Sequence, residues 1–218
     1  MALRAVLLQL AIVAIPVLAA IILHEVAHGA VAYLCGDPTA AEAGRLTLNP
    51  LPHIDPVGTL LLPAFLLVSA TLVGAPPVLF GWARPVPVDV RRLRRPRRDS
   101  LLVALAGPGT NLLLAAVSAL VLAMLPEVLE PGTFVRLVAQ VAMVAIQFNC
   151  LLAVFNLLPI PPLDGSRVLA ALLPARAARV LYGFERVGLV IVLLVVLNSD
   201  FVRVLVRPVV RFFVELAR

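Results

Sequence analysis

The sequence predicts an all-α polytopic membrane protein, with five to six membrane segments and short β-strand or re-entrant elements around its functional centre. Three observations lead there. Of the 218 residues, 62% are hydrophobic and only 14% are charged, far from the balance of a soluble domain. Several stretches of about 20 apolar residues occur, each long enough for a hydrocarbon core about 30 Å thick. Between and within them, proline and glycine fall where an unbroken helix would not tolerate them. The length suits one domain covering 1–218, and no internal repeat is visible.

The first apolar segment covers 3–34. Its start, "MALRAVLLQLAIVAIPVLAA", has the look of a secretory leader ending in small residues. The apolar run continues unbroken to Leu34, which instead predicts one retained helix. A polar, turn-rich stretch follows, in which "GRLTLN" alternates polar and apolar residues as a short strand would. The second segment, 57–80, carries Pro63, Gly74, Pro76 and Pro77 and is a poor simple helix.

A basic connection comes next. The formal net charge is +6, every basic residue is arginine, and seven arginines fall in "RPVPVDVRRLRRPRR" between Arg84 and Arg98. Flanked by apolar segments, that cluster reads as a cytoplasmic loop under the positive-inside rule. No aromatic or motif context points to nucleic acid. A third segment spans 101–125, opening near "AGPGTN". A fourth spans 134–158 and stops at "PIPPLDG". Residues 180–197 make a fifth, and 201–216 a weaker, arginine-bearing sixth suited to the membrane interface. Cys35 and Cys150 are too few for a disulfide framework or thiolate cluster.

The chemistry concentrates in "ILHEVAHGAV". Its HExxH spacing puts His24 and His28 one helical turn apart on one face, where both imidazoles can grip one metal ion. Glu25 then projects beside that metal, placed to take a proton from water. An ionisable group near the bilayer centre costs about 2.5–3.5 kcal/mol on insertion scales, so such a cluster needs compensation. A divalent cation supplies it; two packing histidines hydrogen-bonded across a bundle are the plainer alternative. From Arg4 to His24 is about 30 Å of helix, which puts the histidines near the far membrane surface and within reach of water.

Two histidines leave catalytic zinc one protein ligand short. The best-placed candidate is Asp164 in "FNLLPIPPLDGSRVL", where closely spaced prolines forbid continuous helix between apolar flanks. Broken backbone at membrane depth is tolerated only inside protein or along a wet cavity. An N-cap for a helix starting near Gly165 is the competing role for the same carboxylate.

"HEVAH" in an early apolar segment, "AGPGTN" opening a central one and "FNLLPIPPLDG" closing another together resemble the site-2 protease family of intramembrane zinc metalloproteases. "GRLTLNPLPHIDPVGTLLLP" and "GWARPVPV" are similar to its compact prokaryotic branch, which lacks PDZ and CBS domains. The resemblance implies that His24, His28 and Asp164 bind Zn2+ and that Glu25 is the general base. It also sets Asn111 and Asn156 at family asparagines, whose amides would hydrogen-bond the substrate backbone or the developing oxyanion, unless they only pack helices. His53, in "HIDP", has three open roles: metal ligand, donor to the reacting carbonyl, or member of a polar turn with Asp55. Since the family pattern assigns the metal to Asp164, His53 is held as a substrate-binding residue or a neighbour of the metal ligands.

The implied activity is hydrolysis of peptide bonds in or near transmembrane segments, by a multi-pass protein of the cell membrane whose partners are a transmembrane substrate and the bilayer, with no nucleic acid. A helical substrate must unwind, and "GRLTLN" and "GWARPVPV" are candidate strands to hold it by edge addition. Topology raises a difficulty. If the first helix ends on the cytoplasmic side with the basic loop, 57–80 must start and finish there, yet two crossings would take about 40 residues. Either that stretch re-enters or the first helix runs the other way. A metal or proton transporter, or a catalytically silent scaffold of the same fold, are the competing functions.

Overall fold

The computed structural model describes residues 2–73, 81–126, 133–197 and 199–217. The unbroken apolar N-terminal run forms α1 (Ala2–Leu34), which contains Pro16 and extends for about 50 Å. It stops at Gly36, whose φ of 106° is open to glycine and costly for other residues. There Gly36 N donates to Tyr33 O and Asp37 N to Ala32 O, the double closure that satisfies a helix's last carbonyls. A single turn, α2 (Thr39–Glu42), follows. A 3-10 turn (Leu51–His53) and a wide helical turn (Pro56–Leu61) then lead into α3 (Leu62–Val73). Asp55 caps the wide turn, accepting from Val57 N at 3.0 Å and Gly58 N at 2.7 Å.

After an extended stretch at 81–88 and a short turn at Val90–Arg92 comes α4 (Pro96–Ala123). Proline suits its first turn, and Asp99 accepts from Arg95 N at 2.7 Å. Thr133 caps α5 (Phe134–Asn156) through Arg136 N. The remaining helices are α6 (Asp164–Leu172), α7 (Ala175–Gly183), α8 (Glu185–Leu197), the single turn α9 (Ser199–Phe201) and α10 (Arg207–Leu216), with a wide turn at Val202–Val206 before the last.

The helices α1, α4 and α5 pack on one another and form the centre of the fold. Small residues line their contacts: Ala115 and Ala119 of α4 meet Ile146 and Cys150 of α5, and Phe213 of α10 closes that cluster. Small side chains let helices approach closely where lipid gives no hydrophobic drive to associate. The outer faces are the reverse of a soluble protein's. Leu7, Leu10, Ile15, Leu113, Leu120 and Leu194 are all exposed, as side chains facing acyl chains would be.

Among the described residues three helices, not five or six, are long and apolar enough to cross a membrane: Leu7–Leu34 within α1, α4 and α5. Among the described residues the apolar stretch at 57–80 yields the wide turn and, continuous with it, α3, and neither is counted among the three candidate spans. Its Gly74, Pro76 and Pro77 lie outside the described residues. The fifth predicted segment is divided at Phe184 between α7 and α8, leaving α8 at about 20 Å. The sixth becomes α10, amphipathic rather than spanning, with Phe213 inward and Arg207 and Arg211 outward.

The expected strands do not form among the described residues. In "GRLTLN", Thr47 Oγ1 accepts from Asn49 N and Asn49 Oδ1 from Leu51 N, both at 3.1 Å. Such local side-chain bonds offer the backbone an alternative to a ladder. "GWARPVPV" is extended but lies against turns and a side chain instead of another strand. Trp82 N donates to Gly58 O, Arg84 N to His53 O and Val86 N to Glu25 Oε2. Donation at every second residue is the period of an extended chain with one edge occupied.

Candidate metal centre

The centre forms where α1, α4 and the start of α6 meet. His24 and His28 share a face of α1, as a spacing of four requires. Asp164 opens α6 immediately after the proline-rich break, and all three side chains are buried. Their ligating atoms form a nearly equilateral triangle. His24 Nε2 and His28 Nε2 are 3.0 Å apart, and Asp164 Oδ2 lies 3.2 Å from the first and 3.1 Å from the second.

The tautomers can be derived. Val103 O, a carbonyl, can only accept, so His28 Nδ1 at 2.6 Å carries the proton. The Asn111 amide is fixed by Ala20 O, another obligate acceptor 3.2 Å from its nitrogen, so Asn111 Oδ1 faces His24 Nδ1 at 2.6 Å and accepts. With both Nδ1 atoms engaged, each imidazole turns its Nε2, the atom left to bind a metal, toward the Asp164 carboxylate. Each of the three side chains thus offers one atom to a common point, so a single cation can be held by all of them. Tetrahedral ligands about 2.0–2.1 Å from zinc lie about 3.3 Å from one another, close to the observed triangle. The donor set and its spacing fit Zn2+.

Two glycines make this approach possible. A Cβ on Gly107 would lie 2.6 Å from His24 Nε2 and closer still to His28 Nε2, inside the space the metal requires. A Cβ on Gly165 would strike the backbone carbonyls of Leu157 and Leu158. The glycine after Asp164 thus lets the break fold flat against α6 and present the carboxylate inward.

Glu25 occupies the side of the centre facing 81–88. One carboxylate oxygen accepts from Val86 N at 2.7 Å, which fixes the group and leaves the other oxygen for a reacting partner. The remaining sequence candidates fall elsewhere. Asn111 is fully buried behind His24, and it also donates to Asn149 Oδ1 at 2.9 Å. Asn156, at the last residue of α5, donates back to Leu152 O at 3.0 Å. His53 is buried in the turn before Asp55; its Nε2 lies 2.9 Å from Thr47 O and its carbonyl accepts from Arg84 N. It is not among the three residues whose ligand atoms converge.

Sequence reasoning missed Asn149, Gly107 and the Val103 carbonyl. Asn149 carried a signal, a polar amide inside an apolar run. The other two depend on where α4 crosses α1, which no local pattern encodes.

Residues 128–197 match the family model described as Peptidase family M50. Over 175 residues the chain is 41% identical to the protein titled "Putative zinc metalloprotease YwhC" of Bacillus subtilis, covering 78% of this chain and 73% of that one. It is 32% identical over 191 residues to "Putative zinc metalloprotease Rip2" of Mycolicibacterium smegmatis, covering 88% of this chain and 68% of that one. No solved structure matches the chain.

Proposed function

Since the chain belongs to peptidase family M50, the site-2 protease family of zinc metalloproteases, we propose that it hydrolyses peptide bonds in or near transmembrane segments of membrane-protein substrates. The observation that carries this reading is the convergence of three ligand atoms, from His24, His28 and Asp164, in the wall of an apolar bundle.

His24, His28 and Asp164 would hold the zinc, with Asn111 and Val103 O fixing the two imidazoles. When bound, zinc polarises the scissile carbonyl and lowers the pKa of the attacking water. Glu25 takes the proton from that water through its free oxygen and later delivers it to the leaving amine. Val86 N–H keeps the carboxylate in place throughout. Asn156 and His53 stand as substrate contacts near the C-terminal end of α5 and the 81–88 stretch.

An extended substrate would lie along the outer edge of 81–88. Pro85 and Pro87 carry no N–H, so that edge offers mainly carbonyls, and the substrate backbone supplies the donors. Pairing of this kind is strand addition with one-sided donation.

The arrangement suits a site open to the cytoplasm. Arg94 N donates to Cys35 O and Asp89 N to Asp37 Oδ2, joining the end of α1 to the basic loop. Trp82 N donates to Gly58 O, which holds the two ends of the intervening stretch together. Re-entry therefore reconciles a cytoplasmic basic loop with an α1 that ends beside it. His28 lies about 9 Å of helix from Leu34, within reach of water from that side. An ion transporter would need polar groups continued across the bilayer; here they collect at one depth.

The test is cleavage of a model transmembrane peptide by purified protein, with zinc content measured alongside. Wild type should contain zinc and cleave, and Glu25→Gln should retain zinc without cleaving. Zinc-loaded wild type that leaves every such peptide intact would contradict the reading.

A further inference from the structure

A cavity of about 340 Å³ is lined by Ala43, Arg45, Pro52, Arg84, Pro85 and Pro87, the last three from the stretch whose Val86 N holds Glu25. Arg45 is 7% exposed, and its Nη2 donates to Arg84 O at 2.6 Å. Its Nε is buried without a hydrogen-bond partner. Neither Arg45 nor Arg84 has an ion-pair partner among the described residues. The nearest acid acting on Arg45 is Glu25, and its carboxylate is already engaged by Val86 N.

A buried guanidinium beside a second one is an expensive arrangement. Burial, and then the Arg84 charge, lower the pKa of Arg45 from the usual guanidinium range, and Glu25 only partly offsets them. The three prolines contribute no donors, so the two arginines dominate the polar character of the cavity. Walls of proline and alanine also weaken screening and strengthen any charge bound there. A carboxylate is the partner that a guanidinium fork fits best.

We infer that this cavity is a substrate subsite that takes an acidic side chain of the peptide being cleaved. The inference rests on the proteolytic reading above and specifies its substrate. Arg84 precedes Val86, the residue that holds Glu25, by two positions of extended chain, or about 7 Å. A peptide lying along 81–88 would therefore place its acid about two to three residues from the scissile bond.

The test uses the full zinc-loaded chain carrying Glu25→Gln, in nanodiscs of phosphatidylcholine alone. Transmembrane peptides with one Asp stepped through successive positions, each matched by an Asn peptide, are titrated by the fluorescence of Trp82, the sole tryptophan. One Asp position should bind about tenfold more tightly than its Asn match, and adding Arg84→Gln or Arg45→Met should abolish that ratio. Arg84 is exposed, so its substitution gives a result even if the buried arginine proves necessary for folding.

No discriminating position, or discrimination that survives Arg84→Gln, overturns the inference. So does loss of discrimination when phosphatidylglycerol is added, provided that loss requires both arginines; the cavity would then be a lipid headgroup site. Cleavage of Asp and Asn peptides by wild type separates the two readings. Equal cleavage at every position leaves the protease standing and removes the acidic subsite. Discriminating binding without any cleavage supports the subsite and removes the protease.

Discussion

Asn111 Oδ1 accepts a hydrogen bond from His24 Nδ1 at 2.6 Å, so a residue 87 positions away on another helix orients the imidazole proposed to bind zinc. Because the same amide donates to Ala20 O and Asn149 Oδ1, it is held on three sides. Asn111→Ala should lower zinc affinity about 10–100-fold, as read by competition with a chelator. Asn149→Ala, one bond further out, should give a smaller loss in the same direction.

Gly107 supplies the space into which His24 and His28 turn their Nε2 atoms. Gly107→Ala should leave the purified protein with little or no zinc and no cleavage. Gly109, two residues on, has open space where a Cβ would go. Gly109→Ala should retain zinc at the wild-type ratio, measured by metal analysis of both variants.

Val86 N–H is the only donor to Glu25 among the hydrogen bonds described. Val86→Pro removes it, while the extended backbone at 81–88 already accommodates proline on both sides. Zinc content should stay unchanged and kcat should fall about tenfold, the scale of a lost bond to a charged group. Unchanged cleavage would show that the carboxylate needs no such support.

The backbone bond from Trp82 N to Gly58 O holds residues 58 and 82 together, and the proposed re-entry puts both on the side of the basic loop. In a background without Cys35 and Cys150, cysteines at the exposed positions Val57 and Val90 should react with a membrane-impermeant thiol reagent from the same side. Cysteines at Met124 and Phe134, also exposed and at the other ends of α4 and α5, should react from the opposite side.

Much of this centre is legible in the sequence because its ligands sit in patterns with a physical period. HExxH sets two imidazoles one turn apart, and "PIPPLDG" marks broken backbone where an aspartate needs a reason to be. What is not legible depends on tertiary crossings. Nothing local says that Val103 O will meet His28, or that Gly107 passes the metal-binding atoms. The segment count fails for a related cause: apolar length alone does not show that a run breaks at Phe184, or that Trp82 returns to Gly58. "GRLTLN" alternates as a strand should, yet Thr47 and Asn49 satisfy their own turn first.

The claim on which the rest depends is that Asp164 completes a zinc site with His24 and His28. X-ray absorption at the zinc edge of purified wild type and Asp164→Ala tests it most directly. The account predicts two imidazole nitrogens and oxygen donors at about 2.0–2.1 Å in wild type, with zinc lost or its coordination changed in the variant. Wild-type protein without zinc, or an identical spectrum at full occupancy in Asp164→Ala, would contradict it.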